Sequence, residues 1–257
     1  MKTGFTNNKS TDKKGEYTLE NPFVYESNYF HDYFRAIPFI RLKNLLDRNK
    51  INLDNKTILI ASCGCGIDAH YLKKFYQPKK IYFTDIHMMA MEKTKSNFYN
   101  EIFILADNCK IAFKDNAFDY VLIAASLHHL KEPIKGLYEL LRVAKEGLIV
   151  IEPNDSWLTR LFEKLGWAHE YETEHGNYVY RFSKRDVGKI NKALFYKYSL
   201  TRFFSLHRVA KTQIEFLILK IINGMANCFC PSLGNYIIFL IKKDRVLPKF
   251  MKKTQEI

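Results

Sequence analysis

The feature that most constrains this chain is an apolar run that stops at a glycine-rich turn, Ile58-Leu-Ile-Ala-Ser-Cys-Gly-Cys-Gly-Ile-Asp-Ala69. Unbroken apolar residues without polar alternation read as a strand buried on both faces, the habit of parallel sheets. Gly64 and Gly66 then let the backbone turn tightly and come close to a ligand before a helix begins. Strand-like runs recur at 57–62, 80–84, 102–106, 120–125 and 147–152, with helical stretches between them. That alternation predicts an α/β fold of βαβ units, with right-handed crossovers that put helices on both faces of a doubly wound sheet.

Beyond residue 152 the pattern loosens. The spacing predicts helices at 156–165, from Ser183 to about Phe195, and at 211–229. It predicts strands at 198–205 and 234–243, and a polar loop at 170–178. Ser183-Lys-Arg-Asp186 has the serine-x-x-acid form that opens a helix. Residues 1–16 are polar and aperiodic, which predicts a disordered tail with no secretory signal. Residues 17–50 are aromatic-rich and predict a helical cap or lid, with Tyr25, Tyr29 and Phe30 as the rings able to close over a ligand or simply pack. The main domain is expected over 51–243, with a basic and apolar substrate-side part at 181–230 and a basic tail at 244–257.

Composition settles broad class. With 257 residues, 47% of them hydrophobic, the chain can bury a full core. Its longest apolar run, 236–241, has strand length rather than membrane-spanning length. Five cysteines, an odd number, read as reduced thiols in a cytoplasmic protein, and the spacing of Cys63/Cys65 and Cys228/Cys230 does not fit the usual zinc pattern. No metal site is expected.

Two sites carry chemistry. Read as Gly64-x-Gly66-x-x-Ala69, the first turn fits a dinucleotide fingerprint or a plain strand-to-helix turn. Asp85 stands 21 residues after Gly64, at the end of the second strand, where a carboxylate can accept both hydroxyls of a ribose or cap the next helix. Up to here a nicotinamide-dependent oxidoreductase fits as well as any other enzyme that binds an adenosine cofactor.

The stretch from Leu105 to Leu130 separates the readings. Asp107, Phe113, Asp115, Phe118, Asp119, Val121 and Leu127-His-His-Leu130 resemble, in order and spacing, the class I S-adenosylmethionine (SAM)-dependent methyltransferases, in the small-molecule branch with the Leu-His-His-Leu signature. Glu139-Leu-Leu-Arg-Val-Ala-Lys-Glu-Gly147, Ile149-Val-Ile-Glu-Pro153 and Asp85-Ile-His-Met-Met89 resemble further motifs of that family. The resemblance covers about residues 56–153 and continues more loosely to 243. It implies a Rossmann-like seven-stranded sheet whose last strand, about 235–241, runs antiparallel. It also implies SAM as cofactor. The Ser62–Gly66 turn, with Cys63 and Gly64, would pass under its methionine end. Asp85 would bind the ribose, Ile86 would pack on the adenine, Asp107 and the Asn108 backbone would take its polar edge, and Ala125 would lie alongside. Two positions depart from the family: Ile60 where an acid is common, and Ser62 where glycine is common. Asp68 or the Ser62 hydroxyl is the candidate substitute, and a cofactor-binding partner protein without turnover is the competing reading.

Candidate catalytic residues follow the strand tips, where ligands bind in such sheets. They are His128, as pocket residue and base, and Glu152, with His129, Asp155 and His175 as further choices. The acceptor is read from charge. Of a net charge of +13, residues 181–257 hold 16 basic and 4 acidic residues, a net of +12. That favours an anionic small molecule or glycan precursor as acceptor, against a solvated lysine-rich surface. No nucleic-acid-binding module is recognisable. The apolar helix at 214–229, followed by basic residues, either covers the sheet or docks on an anionic membrane at the inner face.

Overall fold

The computed structural model describes residues 29–166, 168, 170–172, 177–206 and 212–245, without the side chains of residues 29–32, 93, 172 and 177. Strands β1 (Thr57–Ala61), β2 (Lys80–Asp85), β3 (Ile102–Leu105), β4 (Phe118–Ala124) and β5 (Ala144–Pro153) are linked through helices α2 (Ile67–Leu72), α3 (Met88–Asn97) and α4 (Pro133–Val143). Helix α1 (Tyr29–Arg48) precedes them. Helices α5 (Trp157–Lys164) and α6 (Lys184–Leu194), strand β6 (Tyr196–Phe203), helix α7 (Gln213–Phe229) and strand β7 (Tyr236–Arg245) follow. In the stretch expected as a loop, Tyr171–Glu172 pairs antiparallel with Asn177–Tyr178.

The main sheet has seven strands in the order β3-β2-β1-β4-β5-β7-β6. The first five are parallel, and β7 runs antiparallel to both β5 and β6. This is the expected Rossmann-like sheet. The antiparallel strand is last in sequence but second from the edge. Chain order runs outward one way from β1 to β3 and the other way from β4 to β5. The switch point therefore lies between β1 and β4, and its carboxyl edge is where such sheets bind ligands.

Side-chain alternation along β1 divides the core between the two faces. Ile58 and Ile60 pack with Leu42 and Leu46 of α1 and Leu72 of α2. Leu59 and Ala61 pack with Leu137 and Leu140 of α4 and Val187 of α6. Pro133 opens α4 at a position that needs no backbone N–H. The capping box legible in the sequence opens α6: the Asp186 N–H donates to Ser183 Oγ (3.1 Å), and the Ser183 N–H donates to Asp186 Oδ2 (3.0 Å).

The described aromatic rings of α1 are packing residues. Phe34 and Phe39 are buried, Phe39 stacks on Tyr71, and Phe34 meets Phe216 of α7 edge-on. Tyr25 and the side chains of Tyr29 and Phe30, the lid candidates, lie outside the described residues. So do the tails at 1–28 and 246–257.

One element corrects the sequence reading. The 211–229 helix does not cover the sheet with its apolar side. Helix α7 buries Phe216 and Asn223 but leaves Leu217, Ile218, Ile221, Ile222, Met225 and Phe229 each more than half exposed.

Candidate active site

The loop after β1 carries three left-handed residues: Ser62 (φ +51°), Gly64 (φ +49°) and Gly66 (φ +78°). A serine in this region costs about 1–2 kcal/mol, so its surroundings must hold it. They do so with hydrogen bonds from three elements. The Cys63 N–H donates to the Thr84 carbonyl (2.9 Å), the Thr94 hydroxyl to the Gly64 carbonyl (2.7 Å), and the Asn108 amide to Ser62 Oγ (2.6 Å). The two glycines differ in kind. A Cβ on Gly66 would meet Thr94 Cγ2 at 2.7 Å and Phe98 Cε2 at 2.9 Å, so Gly66 allows the loop to pack on α3. A Cβ on Gly64 would meet nothing within 4 Å, so Gly64 faces open space.

Asp85 ends β2 and is buried. Its Oδ2 accepts the Gly64 N–H and its Oδ1 the His87 N–H, both at 2.9 Å. The carboxylate is thus fixed against the glycine loop and, through the His87 N–H, against the residue that precedes α3. Each oxygen keeps a lone pair for a further donor. Ile86, Met88, Met89 and Leu105, next to this corner, are each more than half exposed, an unusual density of bare apolar side chains. Asp107 is exposed and its Oδ1 accepts the Cys109 N–H at 2.8 Å. Asn108 is buried, and its Oδ1 has no hydrogen-bond partner among the described residues.

A second corner forms at the tip of β4. Ala125 is another non-glycine residue with positive φ (+48°), and its N–H continues the ladder to the Ile151 carbonyl (2.7 Å). The single turn Leu127–His129 follows. Glu152 of β5 has no exposed surface and spends both oxygens on that turn. Oε1 accepts the Ser126 and Leu127 N–H groups (2.8 and 2.7 Å), and Oε2 lies 2.6 Å from His128 Nδ1. A neutral His128 that donates Nδ1–H to Glu152 carries its lone pair on Nε2, the tautomer suited to take a proton.

Other candidates divide. Asp155 is bound by both its oxygens to Arg160 at 2.6 Å. His175 lies outside the described residues. Ile60, the position that departs from the family, is fully buried and packed against α1 and α2. The nearby acid is Asp68, in the first turn of α2. Burial, aided by the charge of Glu152, pushes its carboxyl up to about 7. Burial also raises the Cys63 thiol far above the usual range, so that thiol stays protonated. All five cysteines are free, and no group of metal-ligating side chains occurs among the described residues.

Several motif residues turn out to be scaffold. Asp119 Oδ2 accepts the Thr57 N–H (2.8 Å) at the start of β1. Arg142 donates to the Ile111 and Phe113 carbonyls, to Asp115 and to Glu139, tying the loop before β4 to α4. The sequence reading missed Thr94 and the Asn108 side chain as loop anchors. Neither belongs to a periodic or spaced pattern that could have marked it.

With this geometry in place, comparison with known proteins identifies the domain. Residues 59–151 match the family model described as a methyltransferase domain. Demethylmenaquinone methyltransferase of Bacillus pumilus is 40% identical over 60 residues, 23% of this chain and 26% of the relative. An uncharacterized protein of Methanocaldococcus jannaschii is 33% identical over 110 residues, 42% and 46% of the two chains. The chain thus matches between a quarter and a half of the length of these relatives. Among solved structures, a SAM-dependent methyltransferase from Thermotoga maritima, described as a possible histamine N-methyltransferase, superposes with a TM-score of 0.59 at 15% identity, over 84% of this chain and 92% of the other. Magnesium protoporphyrin IX methyltransferase from Synechocystis, solved with bound S-adenosylhomocysteine, gives 0.58 at 15% identity over 85% and 90%. Residues 59–151 thus match a methyltransferase domain, and the seven-stranded sheet that contains them has the fold of these methyltransferase structures. SAM is the cofactor of such domains, and the residues present fit it: Gly64 leaves the loop open, Asn108 Oδ1 is an unused buried acceptor, and Asp85 is anchored with acceptor capacity to spare.

Proposed function

We propose that this protein transfers a methyl group from SAM to an oxygen, nitrogen or carbon atom of a small anionic acceptor. The observation that carries the reading is Asp85: a buried carboxylate at the tip of β2, next to the switch point and tied to Gly64 of the open loop. The ribose would take the remaining lone pairs of Asp85. The adenine would lie along Ile86 with its polar edge at Asp107 and Asn108, and the methionine end would follow Ser62 to Gly66 beside Ala125. Asp68 would take the place of the acid missing at Ile60 and face the ammonium group. A cation there would draw the Asp68 proton off, so SAM binding would tighten as pH rises through about 7.

When bound, SAM supplies an electrophilic methyl group, and the protein's work is to align the acceptor and exclude water. Such positioning is worth roughly 7–11 kcal/mol. Glu152, fully buried, acts on His128 rather than on substrate, which revises its expected role as a direct catalyst. It fixes the ring and its tautomer, so that His128 can accept the acceptor's proton at Nε2. Lys184 and Arg185, exposed in the first turn of α6, begin where Phe182 pairs with Asn154 beyond β5, and support an anionic acceptor. A cytoplasmic setting, with a peripheral contact to the inner membrane face, belongs to the same reading.

Calorimetric titration tests it. SAM and S-adenosylhomocysteine should bind at micromolar concentration and Asp85→Ala should weaken both about 10- to 150-fold, the loss of a charge-assisted hydrogen bond. Binding of NAD in place of either would instead establish the oxidoreductase reading. The reading as a partner protein without turnover draws on Ile60, and SAM binding without methylation across a screen of anionic acceptors would favour it.

A further inference from the structure

Two loops meet at Asp85, and their hydrogen bonds close a ring around it. The loop after β1 reaches Asp85 through the Gly64 N–H, which donates to Oδ2 at 2.9 Å. The turn after β3 reaches it from the other side, where the Ala106 N–H donates to the Asp85 carbonyl at 3.0 Å. That turn is tight: the Cys109 and Lys110 N–H groups donate to Oδ1 and the carbonyl of Asp107, at 2.8 and 2.9 Å. Asn108 completes the ring by donating its amide to Ser62 Oγ at 2.6 Å. In the order β3-β2-β1 the two loops belong to strands that are not neighbours, so this bond spans the tip of β2.

The bond acts on a strained residue. Ser62 is left-handed at φ +51°, a region that glycine enters freely and serine does not. The Thr84 carbonyl and the Thr94 hydroxyl hold the residues after it, Cys63 and Gly64. Among the described residues, the hydrogen bond from Asn108 is the one made to the Ser62 side chain itself. Asn108 is only 3% exposed, so water competes little for its amide and the bond is correspondingly firm. The same residue leaves Oδ1 without a partner, an arrangement that stability alone would not favour at a buried position.

We propose that Asn108 is a positioning residue for the cofactor and acts through Ser62. Its amide holds Ser62 left-handed, and Ser62 in turn sets the Cys63 and Gly64 N–H groups on β2 and keeps the loop open beside Asp85. Without the amide, Ser62 gains by relaxing toward negative φ, which draws those N–H groups off Thr84 and Asp85. Binding must then restore the strained loop as well as fill it, so the cost appears in affinity. The assignment rests on the methyltransferase reading.

A double-mutant cycle read by calorimetric titration with S-adenosylhomocysteine tests it. Glycine at residue 62 needs no support, so Asn108→Ala should weaken binding about 5- to 30-fold more in the wild-type chain than in Ser62→Gly, the affinity equivalent of the left-handed strain. Any direct contact between Asn108 and the ligand is lost in both backgrounds and cancels. Should Asn108→Ala fail to fold, Ser62→Ala against Ser62→Gly gives the comparison with Asn108 in place. Both lack the hydroxyl, only alanine keeps the strain, and alanine should bind the more weakly by a similar factor. Equal losses in the two backgrounds, or equal affinities of Ser62→Ala and Ser62→Gly, would overturn the proposal. So would a coupling seen in thermal unfolding of the ligand-free variants and absent from affinity, which would leave Asn108 a purely structural residue. A wild-type chain that binds no S-adenosylhomocysteine would remove the methyltransferase reading and this proposal together, whereas wild-type binding without coupling removes the proposal alone.

Discussion

At the scale of single residues, the two loop glycines are expected to answer differently to the same substitution. Gly66→Ala adds a left-handed strain of about 1–2 kcal/mol to an overpacking cost of about 1–3 kcal/mol, because its Cβ runs into Thr94 and Phe98. Thermal unfolding should register most of that sum. Gly64→Ala meets no neighbour, so only the strain of about 1–2 kcal/mol should appear in unfolding, while cofactor titration should weaken at least tenfold as the methyl group fills the loop's open side. Asp68 sets a pH dependence of its own. Unfolded, it ionises in the ordinary carboxylate range; folded, it keeps its proton to about pH 7. The folded state then binds the extra proton, so the contribution of Asp68 to stability falls as pH rises through that window and levels off above it. Asp68→Asn should flatten this slope in denaturant unfolding measured from acid to neutral pH, and should also remove the pH dependence of SAM binding.

Among elements, the β4 tip and β5 act as one unit through Glu152. Glu152→Gln keeps an oxygen for the Ser126 and Leu127 N–H groups but presents an amide to His128, favouring the other tautomer. It should cost about 1–3 kcal/mol in unfolding. With an identified acceptor, kcat should fall while KM stays near the wild-type value, since Glu152 touches no substrate; a lowered stability with unchanged kcat would reduce the residue to scaffold. The elements also show what a sequence can convey. The buried run Ile58–Ala61 and the Ser183/Asp186 box were legible because each encodes its structure locally, in hydrophobicity or in a fixed spacing. Asp85 was legible because it ends a strand. The anchoring of Ser62 by Asn108, 46 residues away, and the outward turn of α7 were not, because each depends on distant parts of the chain.

For the whole molecule, cofactor binding and folding should be linked. A ligand that binds only the folded state adds about 2.7 kcal/mol at one hundred times its Kd. S-adenosylhomocysteine at that excess should raise the wild-type melting temperature by several degrees and, at the same concentration, raise that of Asp85→Ala by about half as much or less, since a 10- to 150-fold weaker Kd leaves about 0.3–1.4 kcal/mol. An equal rise in both proteins would mean that the ligand sits elsewhere. The separation of charge has a parallel effect: a nearly neutral amino-terminal part up to residue 180 carries the Ser62–Gly66 loop and Asp85, and a carboxyl-terminal part of net charge +12 carries α6, α7 and the last two strands. Added salt should therefore weaken attraction to anionic partners far more than it weakens cofactor binding.

The position of β7 also bears on the order in which the chain can be assembled. Because β7 lies between β5 and β6, β5 is paired on its β4 side alone and β6 has no strand partner until residues 236–245 have been synthesised. A nascent chain that has already released β1 to β6 from the ribosome holds two unsatisfied strand edges, one of them the flank of the buried run Leu148–Ile151. Stop codons or ribosome stalling before Tyr236 should then yield a product prone to aggregate and to need a chaperone, whereas loss of residues beyond Arg245 would leave the ladder closed. The last strand made is the one that seals the sheet.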